Sequence, residues 1–236
     1  SEGAGVPEII KEIEEAGGQV VQKLWPPLGN ADFSPYLAQL RRDVDAVYCV
    51  FSGADDLRFS KQYTEAGLKG KLPLIGGGTF TDEHVLRTMG DEVLGVVTAL
   101  HYSAALATPA NRKFAQAYEA KFKQTPSYYS EGAYVAGSAL KVALESIGGD
   151  VESADKLLGA LRRVDLSDAP RGPMRFDDFG NPIQNVYVRK VERVGGRLQN
   201  SVIHTFSNVS QFWTYKAEDF LKNPVYSRDY PPCTKC

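Results

Sequence analysis

The stretch Asp45-Ala-Val-Tyr-Cys-Val-Phe-Ser-Gly-Ala-Asp-Asp-Leu57 decides how this chain is read. Its first half is a nearly unbroken apolar run rich in β-branched and aromatic residues, the composition of a strand covered on both faces in a parallel sheet. Ser52-Gly53 ends the run. Asp55 or Asp56 is then expected to accept hydrogen bonds from the free N–H groups of a new helix, whose body, residues 57–66, stops at Gly67. A strand, a tight polar turn and a helix N-terminus form the kind of place where open α/β sheets bind ligands.

The same alternation continues on both sides. Upstream, residues 5–16 read as an amphipathic helix with Ile9, Ile10 and Ile13 on one face and Gly17-Gly18 as its stop. Residues 19–25 read as a strand and 33–42 as a second helix. Downstream, Leu72-Pro-Leu-Ile-Gly-Gly-Gly-Thr-Phe80 is a short buried strand ending in three glycines, followed by a helix over 82–88 and a strand over 93–100. This order predicts a doubly wound parallel sheet. The first helix has no strand before it, although helices in such sheets cross between parallel strands, so a preceding segment is expected.

After Leu100 the pattern changes. Helices are expected over 111–123, where Phe114, Tyr118 and Phe122 recur at fourfold spacing as core packing, then over 126–147 and 153–164. No strand intervenes, so these helices need a sheet from elsewhere, and the expected upstream segment is its natural source. Residues 170–182 are turn-rich; Asp177, Asp178, Gly180 and Asn181 lack the regular spacing and distal Glu of a calcium loop and read as a turn. Strands over 184–194 and 197–206 are joined by Gly195-Gly196, a tight-hairpin signal. The tail from Ser207, rich in aromatics and prolines, reads as irregular structure.

Composition narrows the function classes. The chain has 236 residues, 43% of them hydrophobic, and a formal charge of −2, so no global basic field argues for nucleic acid. No run approaches the ~20 apolar residues of a membrane span. The first residues lack the basic start and apolar core of a signal peptide, so export would require that a signal had been removed. Cys49 reads as a buried thiol, and Cys233 and Cys236 as either a short-range disulfide or two free thiols. There is no P-loop, no Gly-x-Ser-x-Gly and no His-Glu-x-x-His; Gly76-Gly77-Gly78 lacks the dinucleotide spacing, and His84, His101 and His204 are the sole histidine bases. Neither an enzyme nor a bound cofactor is expected.

Several motifs in order, Ala31-Asp-Phe-Ser34, Asp45-Ala-Val-Tyr48, Gln62-x-x-x-Ala-Gly-Leu-Lys69, Gly90-Asp-Glu-Val-Leu-Gly-Val96, 126–134 and Gly172-Pro-Met-Arg-Phe-Asp177 with Gly180, resemble one family. It is the branched-chain-amino-acid type of substrate-binding protein, the extracytoplasmic receptor of ABC importers. The resemblance implies the α/β type I periplasmic binding fold: here the parallel doubly wound sheet of lobe two plus helices belonging to lobe one. Residues 1–103 would build lobe two, 104–168 would return to lobe one, 169–206 would cross back as a hairpin, and 207–236 would form the tail. Most of lobe one would lie upstream of residue 1, so this chain is expected to bind ligand weakly or not at all. The implied partners are a small-molecule ligand and a membrane permease, in the periplasm or otherwise outside the cytoplasm. A ligand-sensing regulatory module of the same fold is the alternative.

In this family the ligand sits between the lobes, on loops at the carboxyl ends of strands. Carried over by position, the candidates are Ser52, Gly53, Ala54 and Asp55 in one turn and Gly77, Gly78, Thr79 and Phe80 in another. Both could equally be ordinary strand-to-helix turns. His101 and Tyr102, at the expected hinge, line the cleft or pack as a hinge pair; Tyr128 and Tyr129 stack on ligand or pack in the core. Gly53 stands where the amino-acid receptors carry an aromatic residue, and Gly78 where they carry the acid that pairs with the ligand ammonium. Without that acid the charge-assisted bond to an α-amine is lost, so an amide or an aromatic carboxylate joins the amino acids as a ligand class.

Overall fold

The computed structural model describes residues 6–224. In chain order the elements are α1 (Val6–Glu15), α2 (Ser34–Gln39), β1 (Val47–Cys49), α3 (Ala54–Glu65), β2 (Leu74–Gly77), a 3-10 turn (Gly78–Thr81) and α4 (Glu83–Leu86). A second 3-10 turn (Asp91–Val93) precedes β3 (Val97–Leu100), and α5 (Pro109–Phe122), α6 (Tyr128–Ser146) and α7 (Ala154–Arg162) follow. The chain then forms β4 (Asp165–Leu166), β5 (Met174–Phe176), β6 (Pro182–Val194), β7 (Arg197–Val209) and α8 (Ala217–Phe220).

The architecture is a mixed α/β fold around one seven-stranded open sheet in the order β1-β2-β3-β6-β5-β4, with β7 on β6. β1, β2 and β3 are parallel, as the alternation predicts, whereas β4, β5, β6 and β7 pair antiparallel. β6 joins the two parts. Residues 187–190 of β6 pair with β3, 182–184 with β5, and β7 runs along its other edge. The turn-rich segment therefore holds a strand that was not expected, and β7 continues past Phe206 into the tail. Residues 195–196 make the hairpin turn with positive φ at both glycines, +57° and +82°.

Two expectations fail. Residues 19–25 form no strand; the Gln22 side chain instead donates to the Gln39 carbonyl and accepts from the Arg41 amide, holding the segment against the end of α2. Neither Asp55 nor Asp56 caps α3. Gly53 is the N-cap, at φ +69°, and both aspartates lie inside the first turn. The hydrophobic core of this half gathers Phe33, Phe51, Phe59 and Phe80, with Phe33–Phe51 centroids 5.3 Å apart, under β1 and β2. Cys49 is buried there as expected. Cys233 and Cys236 lie outside the described residues.

Candidate functional site

The site is assembled from three strand ends and one helix start. At the end of β1 the chain turns through Ser52, Gly53 and Ala54, with Ser52 and Ala54 exposed and open space around Gly53. At the end of β2, Gly77 leads into the 3-10 turn. The Thr79 hydroxyl donates to the Phe51 carbonyl at 3.0 Å, so the two turns are tied side by side. Asp55 points away from them: it is buried, accepting from the Gly29 amide at 2.8 Å and pairing with Arg58 at 3.0 Å.

The glycines divide by what surrounds them. A Cβ on Gly77 would meet the Tyr48 hydroxyl at an ordinary 3.8 Å, whereas one on Gly78 would lie 2.5 Å from the Leu100 Cβ and 2.6 Å from the Ala99 carbonyl. Gly78 is thus required by its approach to β3. Phe80 and Tyr102 are fully buried, Phe80 in the phenylalanine cluster and Tyr102 with its hydroxyl on Asn111 Oδ1 at 2.9 Å. Their side chains belong to the core.

An aromatic series stands at the other candidate positions. The rings of His84, Tyr129, Tyr128 and His101 follow one another with centroids 5.6, 4.0 and 5.8 Å apart. Tyr129, at the start of α6, is 52% exposed, the most accessible of the predicted aromatic candidates. α6 starts here because Ser127 caps it, with Ser127 and Ser130 exchanging side chain-to-backbone bonds. Burial, with Arg171 and Arg189 nearby, lowers the His101 pKa to about 4, so the ring is neutral at pH 7.

Beneath these surfaces lies a buried polar network that sequence reasoning missed. Arg189 projects inward from β6, between Tyr187 and Val191 at the same period-two positions, and donates to the Tyr102 carbonyl (2.8 Å), the Gly78 carbonyl (2.8 Å) and Thr98 Oγ1 (3.1 Å). Glu83 Oε1 accepts from the Ala104 amide and from Asn200, which also bonds Thr81. Burial raises the Glu83 pKa to about 7 against the pull of Arg189. Asp82, fully buried, accepts from the Tyr128 amide on one oxygen and from the His84 amide on the other, which also faces His84 Nδ1 at 3.0 Å. Glu131 and Arg171 form a further buried pair, with Arg171 also on Gln184. The one readable signal was Asp82 at the start of a helix; the other partners are dozens of residues apart.

Three of the four carboxylates around the turns bond protein donors: Asp55 and Asp82 through both oxygens, Glu83 through Oε1 alone. The fourth, Asp56, is fully buried and neither oxygen has a hydrogen-bond partner among the described residues. Desolvation raises its pKa to about 8; the nearby Gly53 amide opposes in part without meeting hydrogen-bond geometry, so the group is mostly neutral at pH 7. Among the described residues around the turns, the one carboxylate oxygen outside Asp56 without a partner is the buried Glu83 Oε2.

The profile of the periplasmic binding protein family matches residues 2–197. The chain belongs to that family. A curated relative, "Leu/Ile/Val-binding protein homolog 6" of Brucella melitensis, is 33% identical over 199 residues, covering 81% of this chain and 50% of the relative. Among solved structures, an ABC transporter substrate-binding protein from Sphaerobacter thermophilus matches with TM-score 0.80 and 32% identity over 84% of this chain and 55% of that one. A solute-binding protein of an ABC transporter from Rhodopseudomonas palustris BisB5, in complex with 3,4-dihydroxybenzoic acid, matches with TM-score 0.78 and 35% identity over 85% and 55%. The chain spans about half the length of the curated relatives it matches. Membership accounts for the open α/β sheet and its strand-end turns; family members of this kind are substrate-binding proteins of ABC transporters.

Proposed function

We propose that this chain is part of a solute-binding receptor that delivers an aromatic carboxylate to an ABC permease outside the cytoplasmic membrane. The observation that carries the reading is the site's charge: two strand-end turns stand beside a tyrosine pair, while among the described residues the neighbouring carboxylates are bonded to protein, as Asp55 and Asp82, or raised in pKa toward the neutral form by burial, as Glu83 and Asp56. An aromatic ring suits Tyr128 and Tyr129, and a ligand without an amine needs no anion. The R. palustris protein bound to 3,4-dihydroxybenzoic acid supports the same class. In this reading residues 1–103 form most of one lobe, 104–168 belong to the other, 169–206 cross back and 207–236 are the tail. Ligand contacts in both lobes would drive closure as a population shift.

The test is an NMR titration at millimolar ligand, which detects weak binding. With 3,4-dihydroxybenzoate, shifts should concentrate at Gly77, Tyr128 and Tyr129, and leucine should bind at least tenfold more weakly. Gly77→Val, which fills the open side of the β2 turn, should abolish the shifts. A preference for leucine, or shifts that survive Gly77→Val, would overturn the reading.

A further inference from the structure

Asp82 sits where the 3-10 turn Gly78–Thr81 ends and α4 begins, as the N-cap of α4. Its second role is elsewhere in the chain. Oδ1 accepts the Tyr128 amide at 3.2 Å across 46 residues, and that N–H is one of the orphan donors that a helix leaves at its start. Ser127 serves the Ser130 amide instead, so the two caps do not duplicate each other. The carboxylate also places negative charge at the positive end of a 19-residue helix. Its Oδ2 orients His84, whose ring meets Tyr129 edge to face. The residue that closes the glycine turn, its amide on the Thr79 carbonyl, therefore reaches with one buried side chain the first residue of α6 and, through His84, the exposed tyrosine.

We propose that Asp82 is a positioning residue of the binding site, a clasp that fixes where the Tyr128–Tyr129 pair stands relative to the Gly77–Thr81 turn. This rests on reading that turn as a ligand loop. Two oxygens do two jobs, so asparagine, with one acceptor, can keep one of them and alanine neither.

Amide exchange measured by NMR on the 236-residue chain tests the clasp without ligand. Asp82→Ala should speed exchange at the Tyr128 amide at least tenfold, leave Ser130 and the amides of β2 and β3 unchanged, and weaken 3,4-dihydroxybenzoate binding at least fivefold. Asp82→Asn should restore a substantial part of both. Unchanged protection at Tyr128 in Asp82→Ala, uniform loss across the sheet, or unchanged affinity alongside a binding wild type would each overturn the proposal. If the wild-type chain binds no aromatic carboxylate, the Tyr128 amide alone decides the clasp.

Discussion

Asp56 is a carboxylate placed where folding favours its protonated form. Its pKa in the fold, about 8, lies above the unfolded value near 3.9. The contribution of this group is therefore without penalty below about pH 4, where both states hold the proton, and becomes destabilising as pH rises toward 8, after which the penalty is constant. At about 1.4 kcal/mol per unit this is at most about 6 kcal/mol. Asp56→Asn should flatten the profile: between pH 5 and pH 8.5 the melting temperature of the wild type should fall relative to that of the variant. Parallel profiles would rule out a buried, unpaired Asp56. The sequence identified the acids here but not their roles. A carboxylate after a strand-end glycine reads as a cap, and the Gly29 amide that takes Asp55, 26 residues earlier, has no local signature.

At the scale of elements, local rules succeeded where the element is self-sufficient. α5, α6 and α7 carry Thr108, Ser127 and Ser153 as N-caps with side-chain bonds, and their extents were readable to within a few residues. Strands were harder, because a ladder needs a partner: residues 19–25 have a strand's composition and no ladder, while β5 lies in a segment rich in turn residues. What fixes α6 to the strand region is equally nonlocal. The Glu131–Arg171 pair spans 40 residues, with Arg171 Nε within 3.1 Å of both carboxylate oxygens. Burial raises the Glu131 pKa, and the guanidinium pulls it back. Glu131→Gln leaves an uncompensated buried cation and should cost about 3–5 kcal/mol. Urea denaturation measures this; a loss below about 1 kcal/mol would mean that the pair is not desolvated.

For the whole molecule, β6 is shared structure. Val191 belongs to the core beneath β1 and β2, and Tyr187 to the cluster with Tyr102 and Phe114, four residues apart on one strand. Unfolding one part pulls the strand from the other, so the described region should melt as one cooperative unit. Far-UV circular dichroism and the fluorescence of Trp25 and Trp213, the two tryptophans, should give coincident urea midpoints; separated midpoints would mean that β6 does not couple the parts. The parallel β1–β3 arrangement was legible from alternating hydrophobic runs and glycine stops. The mixed sheet was not, because pairing partners around β6 are set by packing rather than by any local pattern.

Gly78 also bears on how such a receptor can change its ligand over evolutionary time. An acid at this position would need a Cβ where the Ala99 carbonyl and Leu100 Cβ already lie, and a backbone oxygen cannot be removed by substitution. In this backbone, an acid at position 78 would require β3 to shift. At Gly77 a Cβ meets the Tyr48 hydroxyl at an ordinary 3.8 Å, so a side chain can enter the turn there without moving the sheet.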